Sequence, residues 1–240
     1  IAQAKKLLSN AQYYEAGKPQ YGMYDKAKGD ALKTAVETQG VIKPQVEQAM
    51  QAFVSSLAVP QNGDQIRICN AVEGNYKGLS IADKDGQLRT LNSPYGSDVW
   101  VVESSESGSF ALKNLLSGKY MMGTARPLSL GTEKTTYSYS FNTEFNDFTL
   151  MTAEKKALFP VSDKYGVDPG AIYVDGVRPL GAAWNMNKVW QVTYECVDEQ
   201  GNNLGTFHQA ANAGEDFACA APEITNFEVV GYGADKQSSM

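Results

Sequence analysis

The chain of 240 residues is poor in several things that define large functional classes. It has three cysteines, Cys69, Cys196 and Cys219, too few and too scattered for a disulfide framework, and none in a Cys-x-x-Cys metal or redox pattern. A Cys196 to Cys219 bridge and buried free thiols both remain open readings. One histidine, His208, serves the whole chain, and no HExxH pair, Walker loop, GxGxxG or nucleophile elbow accompanies it. That scarcity argues against the commonest hydrolases and metalloenzymes, and predicts no metal or cofactor. His208 itself reads as an ordinary surface or strand histidine. No apolar run approaches the roughly 20 residues of a membrane-crossing helix.

Positive charge is also scarce. The net charge is −6, and it divides as +2 over residues 1–60, −2 over 61–195 and −6 over 196–240. Binding to nucleic acid or to an anionic membrane needs dense Lys and Arg to displace counterions, so neither partner is expected. With 42% apolar and 20% charged residues the chain is neither disordered nor collagenous, and its length suits more than one domain. It opens on Ile1 instead of Met, from which a removed leader is expected.

Residues 1–60 carry helical periodicity. Leu7, Leu8, Ala11 and Tyr14 recur at helical spacing, as do Ala27, Ala31, Leu32, Ala35 and Val36, and then Val46, Ala49, Met50, Phe53 and Leu57. The first helix is expected to end at Gly17 to Pro19 and the second at Gly40, and Pro44 suits the first turn of the third. Narrow, alanine-rich stripes require mutual packing, so a three-helix bundle is predicted. Tyr13, Tyr14, Tyr21 and Tyr24 cluster near its first turn, to pack between helices or to meet a partner.

Around Pro60, Asn62 and Gly63 the pattern changes to strand-like alternation, and a domain boundary falls there. Residues 61–192 contain an internal repeat. The pairs Ile66 and Ile68, Phe110 and Leu112, and Phe148 and Leu150 each open a copy. Two residues later comes Asn70, Asn114 or Thr152, then Gly74, Gly118 or Lys156, and then Tyr76, Tyr120 or Leu158. Each copy closes on a strand centred on Trp100, Tyr139 or Trp190. Three units of about forty residues, with four strands each, predict a twelve-strand β-trefoil; three blades are too few to close a propeller. Asp85-Gly86 and Asp175-Gly176 carry the type I′ hairpin signal.

The strings FALKNLLSGKYM (110–121) and IRICNAVEGNYKGL (66–79) resemble the strand, Asn, Gly-Lys-Tyr pattern of ricin-B-like β-trefoil modules in secreted bacterial proteins, many of them appended to glycoside hydrolases. The resemblance spans about half the chain and implies carbohydrate binding. The Gln-x-Trp sugar signature of those lectins is absent: the closing strands read DVWVV, YSYSF and KVWQV. AKKLLSNAQ, DALKTAVETQ and VEQAMQAFVSSL are similar to FIVAR-type helical repeats of bacterial surface proteins. Residues 193–240, with turns at Gly201 and Gly214 and the strand-like NFEVVGY, resemble a small mucin-binding-protein-like β module of three or four strands. These likenesses imply a secreted or cell-surface protein.

Candidate ligand residues lie in the loops before the closing strands: Tyr95 with Asn92, and Trp184 with Asn185. An aromatic face meets the apolar side of a pyranose ring, and amides hydrogen-bond its hydroxyls. Trp184 also reads as a plug of the barrel mouth, and Tyr95 as part of a plain turn after Pro94. Trp100 and Trp190, flanked by Val, are expected in the core. Asp83-Lys84-Asp85-Gly86 fails as an EF-hand loop because the liganding Glu would fall at Pro94, so it reads as a solvated hairpin. The function expected is non-catalytic binding of a polysaccharide or glycoprotein glycan. A protein-interaction or inhibitory trefoil, and an accessory region of a glycoside hydrolase, are the alternatives.

Overall fold

The computed structural model describes residues 1–38, 40–92, 96–104, 109–124, 126–161, 168–176 and 181–217, with positions 224, 225, 227, 228 and 231. It is mostly β, with a strongly curled sheet and three helices among the described residues. Tyr95 and Cys219 lie outside the described residues.

The helices are α1 (Ala2–Asn10), α2 (Lys26–Glu37) and α3 (Lys43–Val54). Helix α1 stops well before Gly17. Its chain goes extended because β1 (Tyr13–Tyr14) pairs in parallel with β2 (Tyr24–Asp25), and the two backbone pairings replace what a further helical turn would have made. The Asp25 carboxylate then caps α2, accepting from the Ala27 and Lys28 amides at 2.8 and 3.3 Å. Leu32, Val36, Val46 and Phe53 bury together with Ala4 and Tyr24, whose ring stacks on Phe53 at 4.4 Å. Of the four clustered tyrosines Tyr24 is buried in this packing, Tyr14 and Tyr21 are half-buried, and Tyr13 is 38% exposed. Tyr13 lies so close to Gly29 that a Cβ there would come within 2.3 Å of its ring.

Among the described residues twelve strands follow in three groups of four. The first holds β3 (Gln65–Asn70), β4 (Ser80–Lys84), β5 (Gln87–Leu91) and β6 (Trp100–Ser104). The second holds β7 (Phe110–Asn114), β8 (Tyr120–Met122), β9 (Ser129–Gly131) and β10 (Ser138–Asn142). The third holds β11 (Asp147–Met151), β12 (Ala157–Pro160), β13 (Ile172–Asp175) and β14 (Trp184–Val197). Outer members of the groups pair in a ring: β3 with β6, β6 with β7, β10 with β11, β11 with β14, and β14 back to β3. Reciprocal 2.8 Å hydrogen bonds between Phe110 and Tyr137 join β7 to the start of β10 and close it. The inner members form the hairpins β4–β5, β8–β9 and β12–β13, which meet one another through Thr90 N to Gly170 O at 2.7 Å and Leu128 N to Ile172 O at 2.8 Å. A six-strand ring with three hairpins over one end is a trefoil-like arrangement. Period-2 alternation turns Ile66, Ile68, Leu112, Phe148 and Leu150 into a single core.

The threefold relation holds with a different spacing from the one the sequence suggests. The turns that follow Asn70, Asn114 and Thr152 return their amides from Gly78, Gly118 and Lys155, at 2.8, 3.0 and 3.0 Å. All three have positive φ: 77°, 68° and 62°. The first turn thus carries four extra residues and the third one fewer than the second, so Gly74 and Lys156 are not the counterparts of Gly118. Register also reassigns the closing aromatics. Trp100 faces Asn114 and Trp184 faces Asn70, while Tyr137 precedes Ser138, which faces Met151. Trp100, Tyr137 and Trp184 are the related trio, all fully buried.

Trp190, expected in the core, is 39% exposed. Its strand has by then left the ring: the last β3 partner of β14 is at Lys188, and beyond it β14 runs on paired with β15 (Asn203–Asn212), Trp190 facing Ala211. This two-stranded ribbon turns at Gly201 (φ 83°) and β15 is followed by a turn at Gly214 (φ 81°). Cys196 is a free, half-buried thiol within it. Asp85-Gly86 does make the two-residue β4–β5 turn with both φ positive, and the Asp83 carboxylate accepts the Gly86 amide at 2.8 Å. Asp175-Gly176 instead ends β13, whose hairpin partner β12 precedes it.

Candidate functional site

A cleft of about 1060 Å³ opens where the loop between β1 and β2, the tip of the β10–β11 hairpin, and the base of the β14–β15 ribbon meet. Strand alternation builds one wall. Trp184 and Met186 point into the core, so Asn185 and Asn187, which alternate with them, face out, into the cleft. The hairpin tip adds Phe145, 68% exposed at the rim, and Asn146, whose φ of +54° is held by the hydrogen bond that its backbone N–H donates to Asn142 O at 2.8 Å. Asn146 Nδ2 donates to Asn10 O at 2.9 Å, tying the hairpin to the end of α1. From the ribbon base come Asn212 and Glu215, linked by Asn212 Nδ2 donating to Glu215 Oε2 at 2.8 Å. Gln12 and Gln20 supply two further amides from the N-terminal side.

A polar latch fixes the walls relative to one another. Asp64 accepts from the Tyr21 hydroxyl at 2.5 Å, the Lys188 ammonium at 2.7 Å and the Gln61 amide at 2.8 Å. Burial by itself raises the Asp64 pKa, but these three donors and the Lys188 charge outweigh it and hold the carboxyl below its usual range. Tyr21 is pushed far up by burial and by the bond to Asp64, so it stays a neutral phenol. Cys69, on the same wall, is raised mainly by burial, which keeps it a thiol despite Ser80 at 3.4 Å and the nearby Arg67 charge.

Of the residues expected from the sequence, Asn185 lies on this cleft. Trp184 does not form a surface shelf: it is completely buried, with its indole N–H donated to Leu158 O at 2.9 Å. It is core because it is the threefold counterpart of Trp100, which makes the same bond to Ile81 O at 2.7 Å. Asn92 is exposed but is not among the residues lining the cleft, and Tyr95 falls outside the described residues. Asn92 and Asn185 are not equivalent positions, since Asn185 follows the closing aromatic of its unit whereas Asn92 precedes its own by eight positions. Phe145 and Asn146 were missed from the sequence. Their signal was the string FNTEFND, a turn-forming cluster with a large aromatic where solvent favours a polar residue. Tyr21 belongs to the tyrosine cluster noted in the sequence, whereas Asn212 and Glu215 had no local signal, being brought in by tertiary contact. Among the described residues no three His, Cys, Asp or Glu side chains group in a way that would hold a metal ion. His208 Nδ1 lies 3.0 Å from Thr193 Oγ1 on the ribbon.

No family model and no curated protein sequence matches the chain. Among solved structures it is similar to the Macrolepiota procera ricin B-like lectin in complex with lactose, at 12% identity and a TM-score of 0.46 over 55% of this chain and 99% of that one. It is also similar to SeviL bound to asialo-GM1 saccharide, at 12% identity and a TM-score of 0.44 over 54% of this chain and the whole of that one. A third likeness is to the Rhizoctonia solani agglutinin, at 10% identity and a TM-score of 0.44 over 55% of this chain and 99% of that one.

Proposed function

We propose that the chain is a non-catalytic carbohydrate-binding region of a secreted or cell-surface protein, built on a twelve-strand β-trefoil that holds an oligosaccharide in the cleft described above. The helical segment and the C-terminal ribbon act as adhesion or spacer elements that also complete the cleft walls. The observation that carries this reading is the lining: six side-chain amides, Gln12, Gln20, Asn146, Asn185, Asn187 and Asn212, beside a solvent-facing phenylalanine. Amides donate and accept at once, as sugar hydroxyls do, and Phe145 offers an apolar face for the C–H side of a pyranose. At about 1060 Å³ the cleft matches the upper end of the roughly 300–1,000 Å³ of small-ligand pockets, which suits several linked sugar rings.

Screening the full chain on a glycan array, followed by calorimetry with the best binder, tests this. Phe145→Ala is expected to weaken binding about tenfold, in line with truncation of an aromatic anchor. Because Phe145 is largely exposed, the melting temperature should not change. Absence of any glycan ligand, or affinity indifferent to Phe145→Ala, overturns the proposal.

A further inference from the structure

Of the three tryptophans, Trp100 and Trp184 are completely buried and Trp190 is 39% exposed. Register places it at the edge of the cleft. Val189 faces Asn212 and Trp190 faces Ala211, so the Trp190 pair is the next one outward from Lys188, Asn212 and Ala213, which line the cleft. The Lys188 ammonium, held by Asp64 at 2.7 Å, lies 5.7 Å from the centroid of the Trp190 ring. The indole therefore adjoins the cleft through a lining residue that the latch holds in place.

Alternation along β14 sets Lys188, Trp190, Val192 and Tyr194 on one face of the ribbon, with Ala211 opposite Trp190 and Phe207 opposite Tyr194. The Tyr194 and Phe207 rings stack at 6.0 Å. Gln191 and His208 belong to the other face, which packs on the barrel loop at Gly96. A Cβ at Gly96 would come within 3.3 Å of Gln191 Nε2 and 3.4 Å of His208 Cβ. The barrel loop thus covers the more polar face, and the aromatic face is turned away from it. A single exposed aromatic is ordinary on a protein surface. One that continues an amide-lined cleft along the axis of a strand is placed to take the next ring of a ligand already held there.

We infer that the glycan outruns the cleft: an extended, β-1,4-linked chain of uncharged sugars passes from the amide wall onto the ribbon and stacks a ring on Trp190. The extended linkage follows from the path, because a strand continues in one direction and a coiled chain would turn off it. Uncharged sugars suit it because Asp64 already neutralises Lys188 and the remaining charge on the ribbon side of the cleft, Glu215, repels anions. This inference rests on the carbohydrate reading of the cleft and adds to it a chain length, a linkage and a second aromatic contact.

The test is titration of the full chain with dimers and hexamers of β-1,4-linked glucose and of β-1,4-linked N-acetylglucosamine, read by calorimetry and by tryptophan emission. One of the hexamers is expected to bind at least about tenfold more tightly than its dimer. Trp190→Ala should weaken that hexamer about tenfold and leave the dimer within about twofold, as for loss of one aromatic anchor. Thr193→Ala, on the opposite face of the same strand, should change neither. In the wild type the hexamer should shift the emission to shorter wavelength through Trp190, the other two indoles being buried already, and the dimer should not. Hexamer binding that is indifferent to Trp190→Ala, an equal loss for dimer and hexamer, or an emission spectrum unmoved by a bound hexamer overturns the inference. Failure of both hexamers while another glycan binds on an array also overturns it and leaves the carbohydrate reading standing. If no glycan binds at all, that reading falls and takes this inference with it.

Discussion

Replacing Trp184 by Phe separates a structural tryptophan from a ligand-binding one. The substitution keeps an aromatic ring in the barrel but removes the indole N–H that Leu158 O accepts at 2.9 Å in a fully buried site. Withdrawing a donor from a buried carbonyl costs about 1–3 kcal/mol. The smaller ring also leaves about 40 Å³ unfilled, which at about 24 cal/mol per Å³ adds about 1 kcal/mol. Together these predict a loss of about 2–4 kcal/mol, with Trp190→Phe as the internal control. Trp190 is 39% exposed on the ribbon, where a conservative change should stay within about 0.5 kcal/mol. Urea unfolding followed by far-ultraviolet circular dichroism reads both without relying on tryptophan emission. At the usual urea slope of about 1–3 kcal/mol per M, Trp184→Phe should lower the midpoint by about 1–2 M with the slope unchanged. The folded variant should bind glycan as the wild type does. A Trp184→Phe protein within about 0.5 kcal/mol of wild type, or a greater loss at Trp190, would refute the threefold assignment of Trp100, Tyr137 and Trp184.

Lys155 occupies at φ 62° the turn position held by Gly118 at φ 68° and Gly78 at φ 77°. An L-residue there costs about 1–2 kcal/mol, so Lys155→Gly should raise the melting temperature by about 2–8 °C and Gly118→Ala should lower it by a similar amount. No change, or changes of opposite sign in a thermal scan, would contradict the turn equivalence. The Asp64 latch should make stability acid-sensitive. Its folded pKa lies below the unfolded value of about 3.9, so its contribution is complete above that value and is lost as pH falls through the folded pKa. Asp64→Asn should therefore cost about 1.5–3 kcal/mol at pH 7, as for hydrogen bonds to a charged group, and that deficit should shrink toward acid. A deficit that is constant or grows below pH 4 in melting curves would count against the latch.

Several features were legible because they rest on short-range rules. Alternation at Ile66 and Ile68, or at Phe148 and Leu150, marks a strand with one buried face, and both pairs are buried. Helical spacing at Leu32, Val36, Val46 and Phe53 located α2 and α3. The Asp85-Gly86 signal found its turn because positive φ at two consecutive positions selects those residues. The end of α1 was missed because the pairing of Tyr13–Tyr14 with Tyr24–Asp25 is a contact across a loop that local periodicity does not record. The closing aromatics were misassigned for a related reason. Val189-Trp190 alternates like a core strand, but alternation says which side chains share a face and not whether anything covers that face.

The cleft shows the same division. Asn185 was found because it neighbours an aromatic in a loop-like string, whereas Phe145, Tyr21, and the pair Asn212 and Glu215 come from three separate places in the chain.

What the sequence by itself determined is the three-helix start, the forty-residue recurrence, and the identity of most residues that alternate into the barrel, because each depends on spacing within one element. Tertiary structure alone decided the turn lengths that set the threefold register, the departure of β14 from the ring at Lys188, and the meeting of the helical segment, a hairpin tip and the ribbon base around one cleft. Those depend on which surfaces find one another after the elements form, and the free energy that selects such a match is spread over residues far apart in the chain.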